Sequence, residues 1–393
     1  MYKKKPTSFL YRTVFFSLAA LALATGCKKY DAPSADNDLQ VKQNNGHKGL
    51  RNFKQVNLVA NTTGYHAAHL DPTLKNAWGI AFSAGGTAWV NSEEGHFSDV
   101  YNSEGATAIP PVNIPSPGGT EGGSPTGIVF NAVNGEFVIP SGNTQPAAAA
   151  RFIFVGVDGV VSAWNPTWGN HAFRKFSNPG VNVYTGLALA NNGGNNYLYA
   201  ANFKTGKINV WDKNWNPVSM PFMDPNLPAG YAPFNIQNVG GKLYVMYAKV
   251  GDDGEEEKGE GKGFVDIYNT DGSLVKRFVS RGLLNAPWGV AMAPPSFLKG
   301  ELDDDDDDGD DHNKPVILVG NFGDGRITAY RADGKFMGQL RTHSNLLEIE
   351  GLWAISFPPS SSTIDPNRLY FAAGPEDEED GLFGYIILDK DRD

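Results

Sequence analysis

The sequence predicts an all-β chain, a six-bladed β-propeller of four-stranded antiparallel blades, closed by an N-terminal strand that completes the last blade. Three observations carry this expectation. A short phrase recurs six times, its copies are spaced like propeller blades, and further apolar stretches follow each copy.

The phrase is clearest at 76–82 (NAWGIAF), 124–130 (SPTGIVF), 183–189 (VYTGLAL) and 286–292 (APWGVAM), with weaker copies at 232–238 and 351–357. Aligned on the glycine or its substitute, the copies fall at 79, 127, 186, 235, 289 and 354, spaced by 48, 59, 49, 54 and 65 residues. That glycine suits an innermost strand, where backbones crowd around a central channel. A second apolar stretch follows at 87–91, 136–139, 197–202, 242–247, 316–321 and 368–373. A third follows at 98–101, 159–164, 207–211, 264–268, 326–330 and 382–386, and often runs into a hairpin turn such as Asp271-Gly272 or Asp333-Gly334. The last blade ends near Leu388 one strand short, so residues 53–60 are expected to supply its outer strand and remove an open edge.

The remaining segments divide the chain into 1–26 as a signal peptide, 27–52 as a lipidated disordered tether, 53–388 as the propeller, and 389–393 as a charged tail. Lys3, Lys4, Lys5 and Arg12 precede an apolar run at 14–24 that is too short to span a bilayer. The run ends in Leu23-Ala24-Thr25-Gly26-Cys27, which resembles a bacterial lipobox. Cys27 is the only cysteine, so intramolecular disulfides are excluded and Cys27 is the expected lipidation site. A lipoprotein in the cell envelope, at the outer membrane, follows as the expected location, with the lipid as its membrane partner. Removal of residues 1–26, which carry four basic and no acidic side chains, takes the net charge from −10 to −14. A surface of that sign argues against nucleic acid as a partner. The expected state is a monomer.

The region from about 53 to 386 resembles a bacterial family of exported propellers described only as conserved hypothetical proteins, some with a C-terminal sorting tail. The stretches that carry the resemblance include 224–238 (DPNLPAGYAPFNIQN), 241–244, 263–268, 318–326 (LVGNFGDGR) and 381–384. It implies the propeller but no reaction. More distantly the chain looks like NHL-repeat and gluconolactonase-type propellers, a likeness of fold that cannot carry function.

Strand order places the loop before each inner strand and the loop after each second strand on one face, here face one. Candidate ligand-binding residues there are Asn76, Trp78, Asn91, Thr126, Tyr184, Phe234, Asn235, Trp288 and Trp353, a mixture of rings and amides suited to a small, weakly charged ligand. The competing reading of the same residues is packing between blades and hydrogen bonding within turns. By residue type, Glu93, Asn202, Asn235 and Asn321 are the nearest match to a lactonase-like metal set, and Ca²⁺ is the one cofactor they suggest. No catalytic residue is assigned. His66 and His69, with Asp71 two residues on, resemble a metal site, but the two histidines look like surface residues, because no further His or Cys cluster completes a zinc set. Signatures of serine hydrolases, zinc proteases and phosphate-binding loops are absent.

Two acidic insertions remain. Residues 251–263 (GDDGEEEKGEGKG) should overhang face one as a mobile loop. Residues 301–311 (ELDDDDDDGDD) belong to the opposite face, and their spacing does not complete a calcium loop. The functional expectation is a cell-envelope binding propeller without catalysis, for a ligand or protein partner. A metal-dependent lactonase or other hydrolase is the alternative.

Overall fold

The computed structural model describes residues 50–299 and 315–389. The expected signal peptide, lipidation site and most of the tether lie outside the described residues, as do the acidic insertion at 301–311 and the tail beyond Asp389.

Six antiparallel sheets form the blades. From the inside outwards, blade one is Ala77–Phe82, Ala88–Ser92, Phe97–Tyr101 and Val112–Asn113. Blade three begins with Tyr184–Asn192, blade four with Tyr231–Val239 and blade five with Pro287–Ala293. Central strands such as Gly263–Tyr268 and Val316–Asn321 are buried at every position, because each blade is covered on both faces by its neighbours. Valine, isoleucine and aromatic side chains suit such strands. Among the described residues the only helices are three short 3₁₀ turns.

Blade six contains Leu352–Ser356, Leu369–Ala373 and Leu382–Leu388 and is completed by Phe53–Ala60. The pairing runs antiparallel from Phe53 opposite Leu388 to Ala60 opposite Leu382, as expected for ring closure. His69–Leu70 adds a short parallel fifth strand. Leu50 is also buried, and its carbonyl accepts a hydrogen bond from the Arg341 amide at 2.8 Å. The propeller therefore takes in the last residues of the segment expected to be tether.

Blade two corrects one expectation. Its second strand is Phe152–Gly156, between Pro125–Phe130 and Val160–Trp164, and not the stretch at 136–139. Val138–Ile139 instead pairs with Ala148–Ala149 in a small separate sheet. Phe137, Ile139 and Trp215 share a hydrophobic cluster, and the Trp215 indole donates to the Val138 carbonyl at 3.0 Å. The 136–139 stretch is apolar because it covers the neighbouring blade, and an apolar run looks the same in either role.

At the inner positions aligned on the repeated glycine, adjacent blades touch through their backbones. A Cβ on Gly127 would come within 2.5 Å of the Leu187 amide nitrogen in the next blade. In blade four Asn235 replaces the glycine. Its amide donates to the Trp288 carbonyl of blade five at 2.8 Å, and its side chain fills the space left open at Gly186.

Candidate functional site: the mouth of face one

Two rings of six residues build the mouth. The first is the residue before each inner-strand glycine or its substitute: Trp78, Thr126, Thr185, Phe234, Trp288 and Trp353. The second is the residue after each second strand: Glu93, Val157, Phe203, Val250, Phe322 and Gly374. Each member of the second ring donates its backbone N–H to the chain entering the inner strand of its own blade, at 2.9–3.2 Å. Six equivalent bonds thus set six residues, five of them with side chains, around one axis.

The rings meet in an aromatic plug. Trp353, 1 % exposed, lies between Trp78, with ring centroids 3.6 Å apart, and Phe322, at 3.7 Å. The planes are 13° and 16° apart, so three rings stack in a row. Phe234 packs 5.7 Å from Trp353 and Trp288 meets it edge-on at 6.1 Å. Hydrogen bonds fix the indoles: Trp353 Nε1 donates to Asn76 Oδ1, and Trp288 Nε1 to the Thr185 carbonyl, both at 2.9 Å.

A cavity of about 530 Å³ opens on the face-one side, lined by Trp78, Trp353, Phe234, Phe203 and Thr185 among others. It falls within the usual size of small-molecule sites. A second cavity of about 280 Å³ lies among the inner strands and shares no lining residue with the first.

The upper cavity is acidic. Glu93, Glu94, Asp253, Glu255, Glu256 and Glu378 line it against one lysine, Lys204. Glu93 is 7 % exposed, and burial, reinforced by Glu94, pushes its carboxyl up to about 7. Burial likewise pushes Glu256 up to about 7, with Glu378 adding to the shift. Glu378 is raised by burial too, although the Asn76 amide and Lys258 oppose this. Asn76 Nδ2 donates to Glu93 Oε2 at 3.2 Å and to Glu378 Oε2 at 2.9 Å. The arrangement can hold a positive charge over an aromatic floor and can keep a proton near neutral pH.

Of the residues expected at this site, Trp78, Phe234, Trp353 and Glu93 line the cavity, and Asn76 supports it from behind. Others serve the scaffold. Asn91 donates to the Thr126 carbonyl at 2.9 Å, and the Thr126 hydroxyl donates to the Tyr184 carbonyl at 2.7 Å. Tyr184 lies one residue before the inward position, so strand alternation turns its ring onto Trp211, with centroids 6.1 Å apart, and Thr185 faces the cavity instead. Trp288 and Asn235 line the lower cavity.

The expected metal set is not brought together. Glu93 belongs to the upper cavity and Asn235 to the lower. Asn202 donates to Asn182 Oδ1 at 2.9 Å, and Asn321 to the Leu283 carbonyl at 2.7 Å. Both amides pin the loop that enters their own blade. Among the described residues no three or more His, Cys, Asp or Glu side chains gather as metal ligands. His66 and His69 are exposed.

Sequence reasoning missed Thr185, Phe203, Phe322, Glu256 and Glu378. The signal for the two phenylalanines was present, because each directly follows an asparagine that ends a second strand, at Asn202-Phe203 and Asn321-Phe322. Glu378 lies in the loop after the second strand of blade six, which the same rule assigns to face one. The loop at 251–263 does reach face one, but it is tied down: Gly251 N–H donates to the Glu255 carbonyl at 2.7 Å, and Gly259 N–H to Asn285 Oδ1 at 2.6 Å.

No protein-family model matches the chain. Two uncharacterized proteins of Acanthamoeba polyphaga mimivirus, R648 and L690, are similar to it. The first is 32% identical, covering 87% of this chain and 82% of the relative. The second is 31% identical, covering 86% of each. These relatives are viral, and they do not support the bacterial origin expected of the family. Among solved structures, a streptogramin B lyase covers 86% of this chain and 97% of its own at 12% identity, with a TM-score of 0.48. A gluconolactonase of Xanthomonas campestris covers 80% of this chain and 86% of its own at 13% identity, with a TM-score of 0.42.

Proposed function

The chain belongs to the family of the mimivirus proteins R648 and L690, and from that premise we propose that it is a binding propeller which takes a ligand at face one without transforming it. The observation that carries this reading is the cavity of about 530 Å³ over the Trp78–Trp353–Phe322 stack. A rigid aromatic floor with a few polar groups suits recognition. Its anchoring in a cell envelope rests on the lipobox-like run ending at Cys27. Native mass spectrometry of protein recovered from envelopes tests both parts. Wild type should carry a diacylglycerol mass that Cys27→Ser lacks, and a noncovalent adduct that Val157→Trp, which fills the cavity from its rim, lacks. Absence of the adduct from wild type removes the binding reading.

One observation favours hydrolysis as a second reading. A buried carboxyl displaced toward neutral pH, as at Glu93, is typical of acid–base sites. A metal-dependent lactonase would show lactone turnover that is lost with a bound Ca²⁺ and in Glu93→Gln.

A further inference from the structure

Resting on the reading of face one as a binding surface, we infer that its ligand is a small organic ammonium ion that also carries an oxygen acceptor. The charge comes first. Six carboxylates line the cavity against one lysine, and two of them, Glu93 and Glu378, converge on one amide. Lys258 offsets part of this charge beside Glu256 and Glu378, but the carboxyl groups still outnumber the lysines, and an excess of negative charge at the mouth of a buried site favours a cationic guest.

Beneath the charge lies the aromatic plug, whose ring faces attract a cation with bulk better than they attract a small hydrated metal ion. The chain already makes this contact with its own ammonium: Lys258 Nζ lies 4.2 Å from the centroid of Phe322, the outer ring of the stack. Among the described residues, moreover, no set of metal ligands is gathered there.

Two orphaned polar atoms specify the rest of the ligand. The Trp78 indole N–H and the Thr185 hydroxyl are both buried without a partner, and both residues line the cavity. They are only 5 % and 3 % exposed, so water does not compensate them from bulk. An indole nitrogen can only donate, so it calls for an acceptor on the guest. A buried donor left unpaired is costly, and a guest oxygen removes that cost. Amino alcohols and amino sugars combine the two features.

The test uses the full chain at pH 8 and low salt, with tryptophan fluorescence and calorimetry. Choline, ethanolamine and glucosamine are compared with their uncharged counterparts 3,3-dimethylbutan-1-ol, ethylene glycol and glucose, and with calcium chloride. At least one ammonium compound should bind one to one, ten-fold or more tighter than its counterpart. Glu378→Gln should weaken it by ten-fold or more, and Trp78→Phe, which keeps the ring but loses the donor, by several-fold. If Glu378→Gln misfolds, the exposed Glu94→Gln and a salt titration of wild type report the same charge dependence.

Equal binding of a neutral counterpart overturns the inference while leaving face one a binding surface. Saturation by calcium alone, or silence from every ammonium compound, also overturns it. The binding reading itself stands or falls separately, on the noncovalent adduct described above.

Discussion

Glu93 and Glu378, almost three hundred residues apart in the chain, share a single donor: the Asn76 amide lies 3.2 Å from one carboxylate and 2.9 Å from the other. Asn76 also accepts from Trp353 Nε1, so one side chain joins the first and last blades, the acidic rim and the aromatic floor. Its φ of 44° puts it in the left-handed region, which asparagine tolerates better than most residues. Asn76→Ala should break all three contacts, leaving a buried indole N–H without an acceptor and each of two carboxylates one donor short. A fall in stability of about 2–4 kcal/mol, read by denaturant unfolding, is expected.

The Glu93 carboxyl, raised from 4.5 to about 7, sets a pH signature. Below about pH 4.5 the folded and unfolded states both hold the proton and no difference arises. Between there and pH 7 the folded state binds more protons, so stability falls as pH rises, and above 7 the full cost persists. Glu93→Gln should therefore match wild type at pH 4 and exceed it at pH 8, by as much as about 3 kcal/mol. Melting curves across that range check the sign. Ammonium binding should run the other way and tighten from pH 5.5 to 8, as Glu93 and Glu256, both pushed up to about 7, ionise beside Glu94, Glu255, Glu378 and Lys258.

Ring closure predicts that the N-terminal strand stabilises the whole disc. Val59 is fully buried opposite Phe383. Val59→Asp should cost about 3 kcal/mol or more through an unpaired buried charge. Deletion of 53–60 should lower the melting temperature of the entire domain, and an unchanged melting point would refute the closure as a source of stability.

Gly186 and Asn235 form a matched pair across blades three and four. An added Cβ on Gly186 would strike the Asn235 side-chain oxygen and come within 2.8 Å of its Cα. Gly186→Ala should cost about 1–3 kcal/mol by overpacking. Asn235→Gly in the same chain should return only part of it, because the backbone contact remains. A double-mutant cycle measures the coupling.

Trp353→Ala empties the centre of the stack. Loss of about 3–5 kcal/mol is expected from the cavity alone, and the fluorescence response to any face-one ligand should weaken with it, leaving Trp78 as the tryptophan that lines the cavity.

The recurring Trp/Thr-Gly-Ile/Val phrase and its spacing determined the blade number, the strand directions and the missing outer strand, because a period-two pattern repeated at blade length has few other ways to bury its apolar faces. The same logic placed Trp78, Phe234, Trp353 and Glu93 on one face. Tertiary structure alone decided which neighbours face the cavity. Tyr184 and Thr185 read alike until the strand's alternation is seen against the channel, and residues 136–139 read as a blade strand until the cover over blade three is seen. Glu378 reaches Asn76 only when the last blade closes on the first. Composition and local pattern set the elements; the approach of six loops around one axis, with the burial and charge coupling that follow, depends on distances no linear pattern encodes.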